Sequence, residues 1–80
     1  MANETKEYDA TNRTVYAYLV LREIRDWARG EAETARLYAW EAAQRGRADV
    51  SVSYDRSADN FTEVQDFVEA RMREELKAGK

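Results

Sequence analysis

Three carboxylates, Asp49, Asp55 and Asp59, fall close together, and three guanidinium groups, Arg22, Arg25 and Arg29, recur at helical spacing. These are the residues best placed to do chemistry. Neighbouring carboxylates can move protons or hold Mg²⁺, and a guanidinium fork grips phosphate or carboxylate through two parallel bonds. The 80-residue chain supplies neither set with helpers, because it has no histidine and no cysteine. Histidine bases, thiol nucleophiles and the usual zinc ligands are therefore excluded. The aspartate spacing does not match an EF-hand loop, and there is no glycine-rich phosphate cradle. The expectation is a non-enzyme, with no catalytic residue, no metal site and no cofactor.

The arginine row has acids beside it, Asp26 on the same helical face and Glu23 adjacent, so a solvated, ion-paired surface accounts for it more simply than a phosphate site does. Across the chain 36% of residues are charged, for a net charge of −3. Acids and bases are interleaved rather than blocked, which does not invite nucleic acid or anionic lipid. The longest apolar run, Val15 to Leu21, is far shorter than the ~20 residues of a membrane span. No basic segment precedes an apolar one at the N-terminus, and a cytoplasmic protein is expected.

Eighty residues make one small domain, and a chain this short buries only about 60–65% of its unfolded surface. Disulfides and structural metals, the usual supplements to a thin core, have no residues to form from. Packing must suffice, or a partner must share the load.

Each glycine follows basic residues, Arg25 and Arg29 before Gly30, Arg45 before Gly46, and Lys77 before Gly79. That pattern marks helix ends, where glycine adopts the left-handed conformation and cations oppose the dipole. Starts are expected at Asn12, at Glu31 with Glu33, and at Asn60 with Glu63. The chain therefore reads as a mainly α, three-helix domain, with helices near 13–29, 31–45 and 61–78 and a polar, disordered segment over 1–11. Phe61, Val64, Val68, Met72 and Leu76 form one stripe on the third helix. Ala35, Tyr38, Ala39 and Ala42 share a face of the second, small enough for another backbone to come close. Ala17, Val20, Leu21, Ile24, Trp27 and Ala28 share a face of the first, which places Trp27 in the core. "TVYAYLVL" (14–21) also suits a strand by propensity, but the stripe continues in register beyond it and favours helix.

Two features resist this scheme. The first stripe stays in phase through Ala35, Tyr38 and Ala42, so an unbroken helix through Gly30 is the alternative, a rod needing a partner along its length. Against it stands the roughly 1 kcal/mol cost of an interior glycine. Residues 47–59 are long for a helix connection, and Val50, Val52 and Tyr54 alternate with Ser51 and Ser53 as in a half-buried strand. A partly extended loop with a short β-strand is expected there, its edge open to strand addition by a second copy or another protein.

Tyrosine and tryptophan concentrate at protein interfaces. Tyr18 and Trp40 lie off the main stripes, and with Val50, Val52 and Tyr54 they are the expected partner-binding residues; Arg22, Arg25 and Arg29 would add charged contacts. The functional expectation is stoichiometric protein binding, by a small inhibitor or adaptor of the kind phages and other mobile elements encode. The partner is a protein of unknown identity or a second copy. A small dimeric nucleic-acid-binding or regulatory protein using the arginine row ranks below it.

Overall fold

Two helices account for the chain. In the computed structural model, which describes residues 2–78 and, of the side chains, those of 13–77, α1 spans Ala2–Gln44 and α2 spans Ala48–Ala78. They fold back on each other as an antiparallel hairpin, with no strand among the described residues. α1 begins at Ala2, so Asn12, expected as a helix start, is interior to it, and the side chains of the expected disordered segment 1–11 lie outside those described.

The turn is built as the glycine pattern at Gly46 requires. Gly46 has φ 75°, its N–H donates to the Ala43 carbonyl at 3.1 Å, and the Arg47 N–H donates to the Ala42 carbonyl at 2.8 Å. These two bonds close a Schellman motif and satisfy carbonyls that the end of α1 would otherwise orphan. The Ser51 N–H then donates to the Arg47 carbonyl, and Asp49 places negative charge in the first turn of α2. Arg45–Arg47 alone connect the helices.

The helices are held by a seam of small residues. Ala28, Ala32, Ala35, Ala39 and Ala42 are all buried, and their spacing alternates between four and three. The same alternation extends back through Arg25, Leu21 and Tyr18, each half-buried. On α2 the matching row is Ser51, Tyr54, Ala58, Phe61, Gln65, Val68, Met72 and Glu75, in which Ala58, Val68 and Met72 are buried. A mean spacing of 3.5 residues is the coiled-coil repeat. Methyl groups at the seam let the backbones approach: the short Ser51 side chain reaches across so that Oγ donates to the Ala39 carbonyl at 2.8 Å.

Three expectations are thereby corrected. The three-helix domain is a two-helix hairpin, because Gly30 does not stop α1. Gly30 does not adopt positive φ and sits exposed between Ala28 and Ala32, both buried. Continuing the seam across it outweighs a glycine penalty of about 1 kcal/mol. The expected loop and strand at 47–59 are helical, because the alternation of Val50, Val52 and Tyr54 covers five residues while the 3–4 alternation from Ser51 covers all of α2. Local β-propensity yields to the longer tertiary pattern. Asn60 and Glu63, expected as a start signal, are therefore interior to α2. "TVYAYLVL" is helical, as its register indicated.

Because the turn is tight and α1 has 43 residues against 31 in α2, the excess of α1 projects past the other end of the hairpin. The molecule is a rod 67 Å long and 14 by 11 Å across, near the ~65 Å expected of α1 alone at 1.5 Å per residue. The end bearing the turn is here called closed, and the other open.

The two glycines should respond oppositely to alanine. A Cβ at Gly30 meets nothing within 4 Å, so Gly30→Ala should stabilise the chain by about 1 kcal/mol. Gly46→Ala forces a side chain into positive φ and should destabilise by about 1 kcal/mol or more. Thermal melts followed by circular dichroism check this, and a lower midpoint for Gly30→Ala would contradict an unbroken α1. In the seam, Ala39→Leu should push the helices apart at a cost of about 1–3 kcal/mol.

Candidate functional site

A seam of methyl groups leaves the large side chains to the flanks. Among the described residues no large side chain is fully buried, and the two flanks differ in chemistry.

One flank is ionic. Arg22, Arg29 and Arg36 follow each other at seven-residue intervals, one coiled-coil position repeated. Arg29 Nη2 lies 3.7 Å from Glu69 Oε1, and Arg36 Nη2 lies 3.6 Å from Asp59 Oδ1. Arg36 Nη2 also donates to Thr62 Oγ1 at 3.3 Å, and that hydroxyl donates to the Ala58 carbonyl. Arg25, at a seam position, turns its guanidinium to Asp26 at 3.1 Å. The arginine row expected as charged contacts is therefore largely matched by acids of the same chain. Glu69 faces Arg29 and accepts from Gln65.

The other flank is apolar toward the open end. Val20, Ile24 and Trp27 lie one residue before the seam positions Leu21, Arg25 and Ala28, and Trp27 meets Phe61 of α2 edge-on, with ring centroids 5.4 Å apart. Val64 and Phe67 continue the surface on α2, and beyond them the same row turns to Arg71, which pairs with Glu74 at 2.8 Å and Glu75 at 3.6 Å. Trp27 remains 56% exposed and Phe67 69%. The expectation that Trp27 is core is therefore corrected, because the seam beside it runs through Ala28. Toward the closed end the α1 row becomes Glu31, Thr34, Tyr38 and Glu41. Tyr38 there leans on Tyr54 at 5.3 Å.

The five residues expected to bind a partner do not form one patch. Val50 and Tyr54 border a shallow groove with Tyr38, Glu41, Arg45 and Arg47 near the turn. Trp40, 61% exposed, and Val52 fall by helical register on the ionic flank, since Trp40 is four residues beyond Arg36 and Val52 seven before Asp59. Tyr18 is half-buried near the open end, beside Arg25, Glu69, Met72 and Leu76. The strand edge invoked for Val50, Val52 and Tyr54 is absent, their amides lying in α2. The residues that sequence reasoning missed are Val20, Ile24, Val64 and Phe67 as a surface. Their signal was present as a stripe wider than a two-helix seam needs.

Among the described residues no group of three or more carboxylates gathers as a metal site would require. Asp55 and Asp59 lie one helical turn apart on α2, with Asp59 turned to Arg36. No helix is long and apolar enough to cross a membrane among the described residues. No protein-family model, curated protein or solved structure matches the chain.

The cross-helix ion pairs are exposed and near the distance limit, so they should orient more than stabilise. A double-mutant cycle on Arg36→Ala and Asp59→Ala is expected to give a coupling of about 0.2–1 kcal/mol. A value several times larger would show that the ionic flank, and not the seam, holds the hairpin.

Proposed function

We propose that this chain is a non-catalytic binding module that acts by stoichiometric association with protein, as an inhibitor or adaptor does. The observation that carries the reading is the exposed apolar row Val20, Ile24 and Trp27 on α1, beside Val64 and Phe67 on α2. Apolar residues scattered singly over a surface need no explanation, whereas a contiguous apolar patch marks an interaction site. The row follows helical spacing on two parallel rods, so what fits it is another helix or helix pair, docking through anchors three and four residues apart. Aromatic anchors such as Trp27 and Phe67 are the types that dominate binding energy when a partner excludes water from them.

The nucleic-acid reading has less support, since a phosphate-binding row needs unneutralised bases and Arg25, Arg29 and Arg36 face Asp26, Glu69 and Asp59. Random duplex DNA is expected to leave the purified protein at low salt. Tight retention that falls steeply as salt rises would favour the rival reading.

The direct test compares affinity capture by the tagged wild-type chain, Ile24→Glu and Trp40→Glu, expressed in the native cell. A protein captured in a fixed molar ratio should be lost with Ile24→Glu and kept with Trp40→Glu. Equal capture by all three would remove the apolar flank from the function.

A further inference from the structure

The protein-binding reading leaves the occupant of the apolar flank open, and the inference here rests on that reading. We propose that the flank is covered by a second copy of this chain, two hairpins meeting face to face about a two-fold axis to form a four-helix bundle.

Surface area is the first argument. The chain exposes 6398 Å², whereas a compact monomer of 9.3 kDa is expected to expose about 5,000 Å². The radius of gyration, 18.7 Å, likewise exceeds the ~12 Å of a compact chain of this length. Part of the excess of about 1,400 Å² belongs to the end of α1 that projects beyond α2, and the rest runs along the hairpin, where a second copy would lie. Among the described residues the buried core is six alanines, Val68 and Met72, which gives an isolated hairpin little else to fold around. A chain with that deficit needs a partner present wherever it is made, in equal number. A second copy meets that condition without any other gene product.

The width of the stripe is the second argument. A two-stranded coiled coil needs apolar residues at two positions in seven, while a helix in a bundle needs a third position beside them. Near the turn α1 has two, its seam alanines being bordered by Glu31 and Glu41. Toward the open end it has three, since Ala17, Val20, Ile24 and Trp27 run beside Tyr18, Leu21, Arg25 and Ala28. On α2 the third position brings Val64 to the same flank, where Phe61 already meets Trp27. Apart from the contact of Trp27 with Phe61, the third row stays partly uncovered, with Val20 36%, Ile24 39% and Val64 39% exposed. A two-fold axis lets one such face cover its own copy, because the contact is isologous and requires no second surface to be matched to it.

The native chain has no cysteine, so single cysteines report contacts without interference. The test is carried out on the full purified chain. Sedimentation equilibrium should give twice the 9.3 kDa chain mass, and the melting midpoint should rise with protein concentration, as for folding coupled to association. Ile24→Cys and Val64→Cys should each cross-link two copies through a short bis-maleimide, and Trp40→Cys, on the ionic flank, should not. The cross-links remain informative even if Ile24→Glu fails to fold. A monomer at high micromolar concentration, or equal cross-linking from Trp40→Cys, overturns the proposal. If the chain is monomeric while Ile24→Glu still loses a captured protein, self-association falls and the binding reading stands. If it is monomeric and Ile24→Glu loses nothing, both fall.

Discussion

The alanine seam is the constraint on which the rest of the molecule depends. A side chain that is one methyl group fills the space between two helices only if the helices come close, and closeness excludes anything large from the line of contact. The hydroxyl of Ser51 reaching the main chain at Ala39 shows how near they come in the closed half. Burial at each seam position is small, about 0.8 kcal/mol per methylene-sized group, so the seam works by repetition. It also shapes where the rings beside it go. Trp27 and Tyr38 sit beside the seam of α1, where they meet Phe61 and Tyr54 from seam positions of α2, and Trp40 and Phe67 point farther out. The exposed aromatics are thus a consequence of how the hairpin closes as well as the material of the proposed binding face.

The same geometry divides the charges. In a left-handed coiled coil the positions flanking the seam carry residues that face across to the other helix and set its alignment. Arg29 with Glu69 and Arg36 with Asp59 occupy such positions on one flank, and their opposite charges suit one antiparallel register. Half-exposed pairs of this kind contribute little net stability, and their value lies in the registers they disfavour. Sliding α2 by one turn would move Glu69 and Asp59 away from their arginines and break the alternation at the seam. The arginine row is therefore a device of alignment first, and its phosphate-binding capacity is largely spent within the chain.

What could be read from the chain follows from which patterns are local. Gly46 announces a helix end because its own conformation makes the motif, and the stripe from Phe61 to Leu76 announces a helix because five apolar residues repeat without interruption. Gly30 carried the same local sign as Gly46, an arginine immediately before it, and that sign could not reveal that Ala28 and Ala32 on either side belong to one seam. The decisive pattern was visible as Ala28, Ala32, Ala35, Ala39 and Ala42, spaced four, three, four, three. It is easily passed over because alanine is the residue least expected to define a core. The apparent strand at Val50–Tyr54 misled for a related reason. Five residues of alternation look extended when counted alone, and their true partner, the 3–4 row from Ser51 to Glu75, emerges only when α2 is counted as one helix. The candidate face was less legible still, because the wide stripe on the first helix looks like an ordinary core until the seam beside it is identified as the true line of contact.

The hairpin is unequal along its length, and that inequality bears most directly on function. Near the turn, the seam is narrow, bordered by Glu31, Glu41 and the tyrosine pair, and it is sealed by the Schellman turn and the Ser51 bond. Toward the open end, the buried alanines of α1 give way to Arg25, Leu21 and Tyr18, set against the buried Val68 and Met72 of α2, the flank turns to valine, isoleucine and tryptophan, and α2 ends before α1 does. Stability should fall where α1 runs on beyond α2, since local opening follows the density of buried apolar contacts. A partner laid against the open half would supply cover where the chain supplies least, so binding there would also complete the fold. Association and folding would then be coupled in the half that carries the apolar face, while the closed half serves as the preformed clasp that keeps the two helices in register.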